Sequence, residues 1–338
     1  AEDLYRYVVE TIGSPRRTYL WGDSLGGLVT EVLAEKGEPW VSVAAPLCGV
    51  LGGTRENLDL AMDVAFAVRE LFDPSLKLAG YHNHAEAVKQ WETAQQRIVT
   101  EVAGTADGAA SVALVGALVD APSQTSRFDG STPVSRVSAT VEAVLTGLGY
   151  GTYGRYEIEQ RLRGDPSRVD EDLAARVSSS ERQLIDLAGG LGATDRLLAE
   201  VEDGQRPRLN AAARSGTSSL GEPTGRLRVP TITLHTTADP LVLVQNERLF
   251  ADRVRSAGRQ SQLLQLYVVP PTTFSAPAPY GAGHCAFTAE QRLATVELLD
   301  QWVRGGKRPS GSEVHKAISS VPGMDSTYVP AAWPAAVP

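Results

Sequence analysis

The chain has 338 residues, more than one hydrophobic core usually serves, so either a catalytic domain with a large insertion or two domains is expected. Its formal net charge is −8, its pI is near 5.3, and its 32 Lys and Arg residues are dispersed, which leaves no basic stripe to track phosphates and argues against a nucleic-acid partner. No apolar run reaches the roughly 18 residues of a membrane span, and two cysteines are too few for a disulfide framework or a cysteine zinc site.

The opening residues AEDLYRYVVE are charged and helical in pattern, unlike a leader with a basic stub and an apolar core. Leu4, Val8 and Ile12 recur at four-residue spacing and predict a helix that Gly13 and Pro15 end. Arg17 to Trp21 (RTYLW) is a short β-prone run closed by Gly22, and Leu25, Leu28, Val29, Val32 and Leu33 then mark a second helix. Trp40 to Leu47 (WVSVAAPL) reads as a buried strand that stops at Pro46 and the segment CGVLGG.

From about Thr54 to Glu202 the sequence is rich in Ala, Leu, Glu and Arg, which predicts several helices separated by breakers such as FDPS, SRFDGSTP and RGDPSR. Asp203 to Arg228 is polar and rich in Gly, Pro and Ser, an irregular return path. Strand and helix alternate again from Val229: VPTITLHTTAD, a helix over Asn246 to Ser256, a strand over Leu263 to Val269, and a Pro-rich loop into GAGHCAF. Thr288 and Gln291 form a capping box for a last helix with the apolar face Leu293, Val296, Leu299 and Trp302 or Val303. Beyond Gly305 no periodicity is read, and an extended or partly disordered tail is expected. The resulting organisation is a sheet portion over residues 1–50, a helical cap over 51–225, a second sheet portion over 226–305 and a tail over 306–338.

Gly22-Asp23-Ser24-Leu25-Gly26 matches G-x-S-x-G between a predicted strand and a predicted helix, the context a nucleophile elbow demands. Such a turn strains the serine backbone and lifts its hydroxyl above the sheet edge, at a helix N-terminus whose unpaired N–H groups favour developing negative charge. The Leu25 amide is the expected oxyanion donor. A serine needs a base and the imidazole needs an acceptor to fix its tautomer. Asp239, after the strand ITLHTTAD, and His284, in the loop after the next strand, follow Ser24 in the chain order of this arrangement and fall at the same sheet edge. Among competing residues, Glu56 and Asp59 fall in the first cap helix, and His82 and His84 lack carboxylate or cysteine partners at metal spacing. His235 reads as a hydrogen-bonded core histidine and His315 as a solvated one. No metal or cofactor is expected. Cys285 follows His284 and Cys48 ends the strand beside the nucleophile strand, so the two can form a clamp over the histidine loop or stand as separate buried thiols.

At WGDSLGG, TLHTTADPLV and GHCAF the chain resembles a group of α/β hydrolases from actinobacteria, often exported, with a large helical cap and a C-terminal Asp and His. The resemblance extends to PRRTYLWG, APLCGVLGG, GRLRVPTITLHTT and Gln245-Asn246-Glu247, and says little about the middle. It implies an α/β-hydrolase fold, a mostly parallel sheet with a cap insertion, and hydrolysis of carboxylic esters or amides through an acyl-enzyme. In that fold the elbow follows about four strands, and the loop after the third supplies the second oxyanion amide. Here the elbow stands at residue 24, so an N-terminal portion, as a removed segment or a separate polypeptide, is expected to complete the sheet and to have carried any export signal.

The reading is a serine esterase acting on small-molecule or lipid-like esters. Amidase, peptidase or acyltransferase chemistry on the same three residues, and a non-catalytic binding protein of the same fold, are the alternatives.

Overall fold

The β-prone runs assemble into one sheet, seen in a computed structural model that describes residues 1–275 and 277–334. Among the described residues its strands are β1 (Tyr19–Asp23), β2 (Val43–Leu47), β3 (Thr231–Thr236), β4 (Leu263–Val268) and β5 (Met324–Asp325), side by side in that order. β1 to β4 run parallel and β5 is antiparallel to β4. β2 and β3 are buried along their whole length, as parallel strands covered on both faces must be.

Side chains alternate between the two faces. Val43, Ala45, Leu47, Ile232, Leu234, Leu266 and Val268 meet Leu298, Leu299 and Trp302 of α12 (Ala289–Gly305), with Val314 and Ile318 of α13 (Gly311–Ile318). On the other face Leu20, Ala44 and Leu263 meet Leu33 and Ala34 of α2 (Leu25–Lys36), and Phe250 and Val254 of α11 (Gln245–Ser256). The result is a three-layer α/β/α sandwich.

Between β2 and β3 the chain leaves the sheet and forms a helical body with its own core. It comprises α3 (Thr54–Leu71), α4 (His84–Gly104), α5 (Ala106–Leu118), α6 (Pro133–Gly151), α7 (Tyr153–Leu162), α8 (Ser179–Gly189), α9 (Ala193–Glu202) and the short α10 (Ala211–Gly216). Caps start the helices where the sequence has breakers: Asn83 accepts from the Glu86 N–H, Thr105 from that of Gly108, Thr132 from that of Ser135, and Ser178 forms a capping box with Glu181. α3 is buried almost all round, with Leu60, Met62, Val64, Phe66 and Val68 in one core with Val112, Leu114 and Leu118 of α5. On α7 a buried Arg155 pairs with Glu159 one turn on at 2.7 Å, and with Asp165 beyond the helix. Among the described residues no helix is long and apolar enough to cross a membrane.

Several elements differ from the sequence reading. α12 starts at the expected capping box, but its buried stripe is Gln291, Ala294, Thr295, Leu298, Leu299 and Trp302, and Leu293 is 56% exposed. Docking against the sheet selects the stripe at 3, 4, 7, 8 and 11, and Gln291 earns its place by donating to the Pro322 carbonyl at 2.8 Å. The segment after Gly305 is ordered: a Ser310–Glu313 capping box nucleates α13, and β5 then extends the sheet. The last four residues of the expected tail, and Ala276 in the Pro-rich loop, lie outside the described residues. The return path contains α10. α1 (Glu2–Thr11) forms as predicted but buries no residue, and Leu4 and Ile12 are exposed; its Tyr5 ring stacks on Trp40 at 4.7 Å.

Candidate active site

Ser24 sits between β1 and α2 with φ 58° and ψ −121°, a left-handed φ that a side chain tolerates only under constraint. Packing enforces the turn. A Cβ on Gly22 would stand 2.2 Å from the Gly26 carbonyl oxygen, and one on Gly27 2.7 Å from the Gly49 Cα, whereas one on Gly26 would meet nothing within 4 Å. The tight glycines are therefore Gly22 and Gly27, not both glycines of the motif. The Ser24 N–H donates to the Leu47 carbonyl at 3.0 Å, which ties the turn to the end of β2, and the Leu25 N–H is the first of α2, without an intrahelical acceptor.

Asp239 follows β3 and is buried. Its Oδ1 accepts from the N–H groups of Leu241 and Val242, both at 2.9 Å, and its Oδ2 accepts from His284 Nδ1 at 2.8 Å. The other ring nitrogen of His284, Nε2, lies 2.8 Å from Ser24 Oγ. The structure thus brings Ser24, His284 and Asp239 into one hydrogen-bonded line, all three at the carboxyl ends of strands. With Nδ1–H donated to the carboxylate, Nε2 presents a lone pair to the serine hydroxyl. The loops bearing the acid and the histidine are fastened together: the Gly283 N–H donates to the Ala238 carbonyl at 2.8 Å, and Thr236 Oγ donates to the Gly281 carbonyl.

Cys48 and Cys285 are joined, with S–S 2.01 Å across a separation of 237 residues, so the clamp of the two sequence alternatives is the one observed. It holds the histidine loop to the end of β2. Arg292 of α12, which carried no signal in the sequence, holds the same loop from the other side. It pairs with Asp23 at 2.8 Å, donates to the Cys285 carbonyl at 3.3 Å, and lies over the Phe287 ring. A third tie is the buried pair Asn57 and Asn246: Asn246 Oδ1 accepts from the Gly52 N–H and from Asn57 Nδ2, both at 2.8 Å, fixing the chain where it enters the helical body.

Ser24 opens into a cavity of about 480 Å³ lined by Leu25, Leu28, Val50, Tyr150, Tyr153 and Leu241, with His84, Glu157 and Arg161 among its polar residues. Tyr150, Tyr153, Gly154 and Leu241 also line a neighbouring groove of about 800 Å³ between α4 and α6, bordered by Trp91, Val99, Val102, Phe128 and Leu145. The helical body therefore covers Ser24 with a mainly apolar surface.

The other candidates fall elsewhere. Glu56 and Asp59 lie in α3, where they pair with Arg253 and Arg214. His82 is exposed, and His84 is at the cavity, edge-on to Tyr153 and Tyr156. His315 is exposed on α13, not in an extended tail. His235 is wholly buried in β3, as read from the sequence. Among the described residues no group of three or more His, Cys, Asp or Glu is placed to hold a metal ion.

No family model and no curated protein matches the sequence. Among solved structures, the chain is similar to an acetylester hydrolase from Corynebacterium glutamicum, with 14% identity and a TM-score of 0.32, covering 94% of this chain and 65% of that one. A variant of the rice cell wall degrading esterase LipA from Xanthomonas oryzae is similar at 11% identity and a TM-score of 0.34, covering 89% of this chain and 62% of that one. The chain spans less than two thirds of the length of either.

Proposed function

We propose that the protein is a serine hydrolase that cleaves carboxylic esters through an acyl-enzyme. The observation that carries the reading is the line Ser24 Oγ, His284 Nε2, His284 Nδ1, Asp239 Oδ2, with 2.8 Å at each of its two hydrogen bonds. In the proposed reaction His284 takes the Ser24 proton as Oγ attacks the acyl carbonyl, and Asp239 stabilises the imidazolium. His284 then gives that proton to the departing alcohol. Water, deprotonated by the same imidazole, attacks the acyl group, and as the bond to Ser24 Oγ breaks the imidazolium returns the proton to that oxygen and the acid is freed. The Leu25 N–H is the oxyanion donor from this part of the molecule.

The apolar lining favours esters with an apolar acyl or alcohol part, the cavity at Ser24 taking the group next to the scissile bond and the groove beyond Tyr153 a longer chain. The disulfide supports an exported protein, since such bonds persist in oxidising compartments. β1 is an edge of the sheet among the described residues, and Trp21, Leu25 and Val29 beside it are exposed. Those features support a further strand, from another segment or polypeptide, that pairs with β1 and brings the second oxyanion N–H. Hydrogen exchange tests that part: outward amides of β1 should exchange as fast as loop amides in the 338-residue chain alone, and slow exchange there refutes it.

A fluorophosphonate probe tests the mechanism. Labelling should occur at Ser24, vanish in Ser24→Ala and fall steeply in His284→Ala; labelling that survives His284→Ala unchanged refutes the triad.

A further inference from the structure

Behind Asp239 lies a buried pair of ionisable groups that the proposed reaction leaves unused. His235, on β3, and Glu247, on α11, are wholly buried, and His235 Nδ1 lies 3.3 Å from Glu247 Oε1. Its Nε2 lies 2.8 Å from the Val242 carbonyl oxygen and 3.7 Å from Asp239 Oδ2, the same oxygen that accepts from His284. A carbonyl oxygen only accepts, so Nε2 must carry a proton. Glu247 Oε2 accepts from Thr233 Oγ and from Gln265 Nε2, both at 2.6 Å, the pattern that stabilises an ionised carboxylate. Its Oε1 then faces Nδ1 as an acceptor as well. Both ring nitrogens of His235 are left as donors, and an imidazole with two N–H groups is a cation.

We propose that His235 is a protonated positioning residue, a buried cation held between Glu247 and Asp239 that sets the charge felt by His284. This rests on the reading of Ser24, His284 and Asp239 as the catalytic line. A lone buried carboxylate would either take up a proton or pull hard on the imidazole in front of it, keeping His284 protonated and unable to act as a base. A cation behind Asp239 counters both effects. Its positive charge favours the carboxylate in front of it and opposes a second positive charge on the imidazole beyond.

The surroundings agree. Burial by itself pushes the His235 imidazole down, but Glu247 and then Asp239 outweigh it and the balance is upward. Tyr267, opposite His235 on β4, is held as a neutral phenol by burial and by Glu247. Glu31, wholly buried on α2, is driven toward its neutral form by burial, then by Glu35 and Glu247. The charges in this layer are thus Glu247 and Asp239, with His235 between them.

Nitrogen-detected NMR of the histidine rings tests the proposal in the intact protein without requiring turnover. His235 should show two protonated ring nitrogens from pH 6 to 8, and a single neutral tautomer at pH 7 overturns the proposal. In His235→Gln the ring titration of His284 should move up by about one to two pH units, the effect at an effective dielectric near 20 of losing a unit positive charge that lies 3.7 Å from the Asp239 oxygen bound to His284. An unmoved His284 titration in a folded variant reduces His235 to a packing residue. The hydrolase reading fails separately, by absence of fluorophosphonate labelling at Ser24, which neither NMR result depends on.

Discussion

Opening the bond between Cys48 and Cys285 should cost both stability and turnover. The bridge closes a loop of 237 residues, the longest-range covalent tie in the chain. In the chain-entropy account a loop of that length restricts the unfolded state by about 5 kcal/mol, near the top of the range for single disulfides. The local consequence is smaller, because the histidine loop keeps the Gly283–Ala238 hydrogen bond and the Arg292 contacts to Asp23 and to the Cys285 carbonyl. Those ties leave His284 near Ser24 but with more freedom, and misplacement of a general base by about 1 Å can cost on the order of a hundredfold in rate. Guanidinium unfolding with and without dithiothreitol, and of the Cys48→Ala/Cys285→Ala protein, measures the first effect. Initial rates of p-nitrophenyl ester hydrolysis on the same samples measure the second. The expected result is a midpoint lowered to the same value by reduction and by the double substitution, with activity falling before unfolding. A midpoint insensitive to reductant, together with unchanged rates, refutes the clamp.

The elbow glycines should separate cleanly: Gly26→Ala is expected to fold and react with fluorophosphonate like the parent, while Gly22→Ala and Gly27→Ala, whose Cβ atoms would meet backbone at under 3 Å, should lose soluble expression or labelling. Burial, and then Glu56 beside it, push the Glu222 carboxyl up to about 7. Because the folded pKa lies above the unfolded one, the stability this group contributes is fully present below pH 4.5 and is lost as pH rises through 7. Allowing for solvent screening the loss is about 1–2 kcal/mol, and Glu222→Gln should flatten that part of the pH–stability curve measured by urea unfolding. Tyr153→Ala removes part of the wall shared by the Ser24 cavity and the groove, and should raise kcat/KM for a long-chain ester relative to an acetyl ester by about tenfold, read from a chain-length series. An unchanged ratio argues against the groove as a chain subsite.

What was legible in the sequence was local chemistry. Gly22 to Gly26 between a β-prone run and a helical run, an acid just past one strand, a histidine in the loop after the next, and the Thr288–Gln291 cap are encoded locally, and the structure has these elements in that order. What was not legible depends on docking. The stripe of α12 is chosen by the sheet, so Leu293 points outward despite its spacing. α13 is too short for periodicity to show, although its Ser310–Glu313 capping box was readable. Arg292 with Asp23, and Asn57 with Asn246, act across separations of 269 and 189 residues, so no local pattern announces them. His235 and Glu247 are only 12 apart, but their pairing needs β3 and α11 placed together before either residue can be assigned a charge.

The central claim is that Ser24 becomes acylated. Rapid acid quench of the protein with p-nitrophenyl butyrate, followed by mass spectrometry of the peptides, tests it most directly. The account predicts a butyryl adduct on Ser24 that accumulates when deacylation is the slower step and is absent from His284→Ala. Hydrolysis of the ester with no adduct under any quench condition, or an adduct on another residue with Ser24→Ala still active, would contradict it.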